Sequence, residues 1–418
     1  MAQPPPLQKY DLAIGFGIWQ FSKSSRYNSL AYTSTRIEVA MHISRRNLIY
    51  GIGAGALTAA TPARAFLTRP SAAEQGAEKN LTFPIRLDKN ENVYGPPESA
   101  IAAMREGLSH VNRYPETTKM LEGKLAKLHN VKPEQIVLGC GSSDVLRMAA
   151  DAFLPPGKKF IMAIPSYPLL AYYAQNKKVE VINVPLTPEG AHDLKAMLAK
   201  VDSSTGLIYI CNPNNPTGTL TGRKELDEFV SKVPPEIPVL IDEAYHHYVL
   251  PSPSYASFLD RPVEGRRIIV ARTFSKIYGL AGARIGYAVT PPEVARQFFP
   301  FWLQFAENEI GVRAAMAVLD DTEYVRRTAQ RTADDRQEFR NQAKARMTPT
   351  SDSQTNFILL QLDHPIDETI AHFRKNKVLV GPHFPGVDSF LRVSLGLPDE
   401  MKEFWRVWDL LPHDNMRH

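Results

Sequence analysis

Ala271-Arg-Thr-Phe-Ser-Lys-Ile-Tyr-Gly-Leu-Ala-Gly-Ala-Arg284 lies between two strand-like apolar runs, residues 267–270 and 285–289. A lysine is ordinarily a solvated surface charge. Lys276 has different neighbours. Thr273 and Ser275 bring hydroxyls, Gly279 and Gly282 leave the backbone open, and Arg284 adds a fixed cation. A lysine amine forms a Schiff base with a carbonyl compound. Hydroxyls, free N–H groups and an arginine suit a phosphate. The stretch therefore points to a phosphorylated aldehyde carried on Lys276.

Outward from this stretch, apolar runs at 136–138, 159–164, 179–184, 206–210 and 239–241 also read as buried strands. They alternate with helical patterns, one opening at Gly139-Cys-Gly-Ser-Ser-Asp144 and running to Phe153, others at 194–200 and 224–232. Such alternation argues for an α/β fold, a large domain with a mostly parallel sheet flanked by helices. Before it, 86–97 has turn chemistry, 98–107 and 119–128 are helical, and Asn112-Arg-Tyr-Pro115 is a turn. After it comes a long helical region with breaks, 292–345. Strands at 356–362, 378–380 and 390–394 around a helix at 366–375, and a last helix at 398–411, suggest a smaller α+β domain. The expected division is an N-terminal segment 81–112 that joins the small domain, a large domain 113–300 and a small domain 301–418.

The chain has 418 residues, 44% hydrophobic and 22% charged, which suits a globular protein of two or three domains. Its formal charge of +5 is spread over 49 basic and 44 acidic residues with no basic block, so nucleic acid is not an expected partner. The two cysteines, Cys140 and Cys211, form no C-x-x-C pair and have no histidine cluster beside them, so neither a disulfide framework nor a metal site is expected.

Residues 1–40 read as a disordered or mis-assigned leader. Ser44-Arg45-Arg46-Asn47-Leu48-Ile49 is similar to a twin-arginine export signal. An apolar run to Ala63 and an A-x-A-like cleavage site, Ala63-Arg64-Ala65, follow in the expected order. Residues 41–65 are therefore expected to be a signal peptide, with Met41 as the true start and 66–80 as a linker. The run is too short and glycine-rich for a membrane span. A periplasmic or exported protein is expected, a cytoplasmic one being the alternative.

Ligands of α/β sheets bind beyond the carboxyl ends of strands. Gly139–Asp144 places a helix N-terminus there, with Ser142 and Ser143 as donors to an anion. Asn214-Asn-Pro-Thr-Gly218 is either a plain turn or a rigid mount for the Asn215 amide. Asp242-Glu-Ala-Tyr245 puts a carboxylate directly after a buried strand, where it needs a cationic partner. A protonated pyridine nitrogen is one.

Together these motifs resemble the fold-type I, pyridoxal-phosphate-dependent aminotransferases, in the branch of the histidinol-phosphate aminotransferases. Leu87-Asp-Lys-Asn-Glu-Asn-Val-Tyr-Gly-Pro96, Arg113-Tyr-Pro115, Pro213–Gly218, Asp242–Tyr245, Ser275-Lys276 through Arg284, and Leu391-Arg-Val-Ser-Leu395 match in order over about residues 81–415. The resemblance implies that Lys276 holds pyridoxal 5'-phosphate as an internal aldimine and moves the proton. It implies that Asp242 pairs with the ring nitrogen, that Asn215 and Tyr245 bond the phenolic oxygen, and that Tyr167 stacks on the ring. Ser142, Ser143, Thr273, Ser275 and Arg284 would hold the phosphate. Tyr94 would reach the neighbouring subunit's cofactor, which implies a homodimer. Arg392 would clamp a substrate carboxylate.

One position departs from the branch. Where a second arginine is usual, before the final strand, this chain has Gly381, followed by Pro382 and by His383, itself a candidate substrate contact. The expected function is transfer of an amino group between an amino acid, aromatic or bulky ones included, and a 2-oxo acid. Histidinol phosphate is the alternative substrate, and a decarboxylase or lyase on the same fold the second alternative.

Overall fold

A computed structural model describes residues 84–260 and 265–412. The expected leader, export signal and linker, 1–80, lie outside the described residues. Strand β1 (Ile85–Leu87) comes first. Seven strands then form the main sheet: β2 (Ile136–Gly139), β3 (Lys159–Ile164), β4 (Glu180–Pro185), β5 (Thr205–Cys211), β6 (Val239–Asp242), β7 (Ile268–Thr273) and β8 (Gly286–Val289). Their order is β2-β8-β7-β6-β5-β3-β4. All are parallel except β8, which runs against both of its neighbours.

These strands are apolar on both faces because helices cover both. The helices are α1 (Glu98–Gly107), α2 (Thr118–His129), α3 (Ser142–Phe153), α4 (Leu169–Asn176), α5 (Leu194–Leu198), α6 (Arg223–Lys232) and α7 (Pro292–Phe298). Leu207, Tyr209 and Cys211 of β5 face α3, α4 and α7, packing with Met148, Leu170 and Phe298. Ile208 and Ile210 face the other way, with Met197 of α5 and Phe229 of α6. Burying one such side chain contributes about 1.5–3 kcal/mol.

The helical region 292–345 resolves into α7, α8 (Glu309–Asp320) and α9 (Thr322–Ala345). The breaks fall at capping residues. Asn308 accepts the Gly311 N–H at 2.6 Å and Asp321 accepts the Tyr324 N–H at 3.0 Å, so each side chain starts a new helix.

A second core gathers around β9 (Phe357–Gln361), α10 (Ile366–Lys375), β10 (Val378–Val380), β11 (Phe390–Ser394) and α11 (Pro398–Trp408). β11 pairs antiparallel with β9, and β1 pairs in parallel with β10. The rings of Phe373 and Phe404 stack at 4.9 Å, and Ile85 and Leu87 join the same cluster. Ile85 and Leu87 thereby join the smaller α+β part, whereas Ala100 of α1 packs in the main-sheet core with Leu138 and Tyr287. Two elements were not anticipated. Strand β1 overlaps the stretch from Arg86 that reads as turn, because a three-residue strand shows only through its distant partner. Helix α4, directly behind Pro168, is too short for a periodic signal.

The carboxyl ends of β2, β3, β5, β6 and β7 lie along one edge of the main sheet. Because β8 is antiparallel, its beginning, just after Arg284, returns to that edge.

Candidate active site

At the end of β2 the chain turns through Gly141 into α3. Gly141 has φ +81°, and a Cβ there would stand 2.2 Å from Arg284 Nη2, so only glycine leaves room for the guanidinium. Arg284 donates to the Ala281 carbonyl at 2.9 Å and to Ser275 Oγ at 3.3 Å. Thr273 Oγ1 accepts the Ser275 N–H at 3.0 Å and fixes the turn after β7. Ser142 and Ser143 are the first residues of α3, whose N-terminal dipole favours an anion. Ser142, Ser143, Thr273, Ser275 and Arg284 thus form one cup.

Beside the cup, Asp242 ends β6. It is 2% exposed, and its Oδ2 accepts the Tyr209 hydroxyl at 2.9 Å while Oδ1 accepts the Ala244 N–H at 3.1 Å. Burial pushes its carboxyl up to about 6, against the pull of these two donors. Tyr167 is half-buried; burial and the neighbouring Asp242 charge raise its phenol, and Ser143 is its hydrogen-bond neighbour.

Lys276 Nζ donates to the carbonyls of Lys89 and Asn90, at 3.1 and 3.0 Å, and stands 5.5 Å from the centre of the Tyr245 ring. Loss of water, and then the Arg392 charge, lower its amine to about 8. Tyr245 is buried, with its hydroxyl accepting from Asn90 Nδ2 at 3.0 Å. Asn90 is itself locked: φ is 54°, and Ser394 Oγ bonds both its N–H and its Oδ1 at 2.9 Å.

Arg392 on β11 faces the same space from the second core. Nη1 donates to Asn215 Oδ1 at 2.9 Å and Nη2 to the Asp88 carbonyl at 2.5 Å; Nε is buried without a partner. The guanidinium also lies 4.8 Å from the centre of the Phe384 ring. Gly381 packs directly on it. A Cβ at 381 would meet Arg392 O at 2.7 Å, Cβ at 2.9 Å and Nε at 3.0 Å.

Tyr94 is not brought to this cluster within the chain. Its hydroxyl donates to Asp335 Oδ2 at 2.6 Å, with Arg331 3.6 Å above its ring. His383 bonds Asp388 at 2.6 Å instead of facing Arg392. Three neighbours were not foreseen: Tyr209, Asn90 and Asn356, whose Nδ2 donates to the carbonyls of Asn90 and Glu91 at 3.1 and 3.0 Å. The sequence signal for Asn90 was a polar residue in a turn, too common to single out. Behind Asp242 lies a buried ion pair, Arg272–Glu243 at 2.7 Å, that includes Ser257.

The donor set fits pyridoxal phosphate: a cup of N–H, hydroxyl and guanidinium groups, a buried carboxylate lacking a cation in bonding contact, and a lysine of lowered basicity. A lysine-based cofactor enzyme working on amines is the class that the fold and this arrangement define. The profile of the family "Aminotransferase class I and II" matches residues 84–406, and the chain belongs to that family. It is 32% identical to the histidinol-phosphate aminotransferase of Bacillus subtilis over 333 residues, 79% of this chain and 92% of that protein. It is 35% identical to that of Moorella thermoacetica, over 77% of this chain and 84% of the relative. The crystal structure of histidinol-phosphate aminotransferase from Sinorhizobium meliloti in complex with pyridoxal-5'-phosphate superposes with a TM-score of 0.73. That match has 26% identity and covers 79% of this chain and 90% of that one. The chain is a pyridoxal-phosphate-dependent transaminase.

Proposed function

We propose that this aminotransferase works on α-amino acids and 2-oxo acids, with Arg392 as the clamp for the substrate carboxylate. The observation that carries this is the state of the guanidinium: buried, bonded to two neutral acceptors, with Nε unpaired. A buried cation without a counter-charge is costly, and a carboxylate supplies one in fork geometry. Gly381 adds no second cation, as a bound phosphate ester would favour.

Bound pyridoxal phosphate supplies an electron sink for bond breaking at the substrate α-carbon. The residues do the rest. Lys276 Nζ would hold the cofactor and carry the proton. Asp242 would pair with the ring nitrogen and favour its protonated form. Asn215 and Tyr245 would bond the phenolic oxygen, and Tyr167 would cover the ring. Ser142, Ser143, Thr273, Ser275 and Arg284 would hold the phosphate.

The names of the relatives favour a second reading, histidinol phosphate as amino donor. A screen with 2-oxoglutarate separates the two. Glutamate formed from aromatic or bulky amino acids, with kcat/KM above that for histidinol phosphate, supports the first. The reverse order installs the second, and carbon dioxide without glutamate overturns both.

A homodimer is supported by an apolar surface. Tyr114, 73% exposed, lies 4.5 Å from the Phe305 ring, itself 51% exposed, and Leu108, Val111 and Leu303 are exposed nearby in the chain. Such a patch marks an interaction face. Tyr94 of each subunit would then exchange Asp335 for the partner's cofactor phosphate. Sedimentation velocity tests this: Tyr114→Asp should yield monomers, and a wild-type monomer would refute it.

Export is supported by Arg45-Arg46, the apolar run and Ala63-Arg64-Ala65. Among the described residues no helix is long and apolar enough to cross a membrane. N-terminal sequencing of protein from fractionated cells tests it. An intact Arg45-Arg46 in the cytosol would refute it.

A further inference from the structure

Asp242 is held from inside the sheet by Tyr209. β5 and β6 are parallel, with Tyr209 opposite Leu240 and Cys211 opposite Asp242. Alternation along the strands puts Tyr209 and Asp242 on one face, two positions apart. Tyr209 has no exposed surface and packs in the apolar layer beneath α3 and α4. A phenylalanine would fill that layer equally well, so the hydroxyl needs its own reason. It donates to Asp242 Oδ2 at 2.9 Å, and the Cys211 thiol is its other hydrogen-bond neighbour.

The other carboxylate oxygen of Asp242, Oδ1, accepts the Ala244 N–H at 3.1 Å, so Oδ2 depends on Tyr209. Glu243, next in the chain, is a like charge, neutralised by Arg272. The Cys211 thiol turns to the Pro213 carbonyl at 3.4 Å. Lys276 and Tyr167 approach from the cofactor side. Burial holds the Tyr209 phenol well above its ordinary range, so it stays a donor. Hydrogen bonding to the charged form favours that form.

We infer that Tyr209 is a positioning residue that keeps Asp242 ionised and aimed, and so sets the grip of the site on the protonated ring nitrogen. This rests on the reading of Asp242 as the partner of that nitrogen.

The test uses full-length protein freed of cofactor, with binding measured by equilibrium dialysis across pH. The two probes are pyridoxal phosphate and 1-deazapyridoxal phosphate, which lacks the ring nitrogen. Tyr209→Phe should weaken pyridoxal phosphate about tenfold or more, the range of a hydrogen bond to a charged group. It should change binding of the deaza compound less than about twofold. The acidic limb of the pH profile for pyridoxal phosphate should move upward. In an Asp242→Asn background Tyr209→Phe should have no further effect. Tyr209→Leu, which also loses the ring, should show the same selectivity for the nitrogen-bearing probe. Equal loss for both probes, or unchanged affinity, overturns the inference. If Asp242→Asn itself fails to discriminate the probes, the reading of Asp242 falls instead.

Discussion

Arg392 Nη1 donates to Asn215 Oδ1 at 2.9 Å, and this bond joins the second core to the loop after β5. It fixes the orientation of the amide, because with Oδ1 engaged Nδ2 is left as the donor toward the cofactor side. Substrate clamp and cofactor contact are therefore one unit. Arg392→Ala should cost more than the lost carboxylate pair, since it also frees the amide. The expected loss in kcat/KM for an amino acid is about 100-fold or more, roughly 3 kcal/mol. Arg392→Lys should recover only part of it, because an ammonium lacks the fork. Steady-state kinetics with a carboxylate-bearing donor and its decarboxylated amine check this. The amine should lose far less, only the share that comes from the freed Asn215 amide.

Gly381 should tolerate no side chain. Gly381→Ala places a methyl group against the Arg392 backbone and Nε, and the backbone cannot yield as a flexible side-chain tip could. KM for the amino donor should rise about tenfold or more, with a loss of folding stability of about 1–3 kcal/mol. Gly381→Arg should not create a productive phosphate site, because its own Cβ meets the same obstruction. Kinetics and thermal melts read both.

Cofactor retention should depend on Gly141. Gly141→Ala needs φ +81° of a residue with a Cβ and drives that Cβ into Arg284. Equilibrium dialysis should show weakening of about 10–100-fold for pyridoxal phosphate, and far less for pyridoxal without its phosphate.

Lys276 should set the pH dependence of cofactor uptake. Its amine is lowered to about 8, so the neutral, nucleophilic form grows as pH rises through that value. The rate at which the cofactor-free protein regains its visible band should therefore climb through about pH 8 and level off before 10. A climb that continues to the ordinary lysine range would contradict the burial argument.

Asp242 should destabilise the cofactor-free protein. Its carboxyl is raised to about 6 in the folded chain from 3.8, so the stability it lends is full below 3.8 and is lost as pH rises through 6. Asp242→Asn should gain about 1–3 kcal/mol at pH 7–8 without cofactor and lose that advantage near pH 4. Denaturant melts at the two pH values check the sign.

The motifs of the cofactor half were legible because each sits at a strand end, where an apolar run stops at a polar residue. Asp242 after Val239-Leu-Ile241 and Asn215 after the run into Cys211 are of this kind. The supports were not legible. Tyr209 lies inside an apolar strand, and its function depends on register with β6, which no local pattern reveals. Asn90 meets Ser394 across the whole chain. Gly381 was read as a missing arginine; its packing on Arg392 shows that the position is built around the clamp. Tyr94 was assigned by motif, and its contact with Asp335 comes from the long-range packing of α9.

The reversal of β8 separates the inheritance of the two halves of the site. Lys276 and Arg284 sit on one local hairpin, so whatever fixes the cofactor is encoded in a short stretch of chain and the strands beside it. Arg392, Gly381 and Phe384 come from a different sheet with a different core. Mutations in the loop that follows Gly381, short of Arg392 itself, leave the Arg392–Asn215 bond and the phosphate cup in place. Such an arrangement lets a lineage explore new amino donors while its chemistry stays intact, and it marks 382–389, the loop between Gly381 and the strand that carries Arg392, as the segment to randomise when redirecting this enzyme.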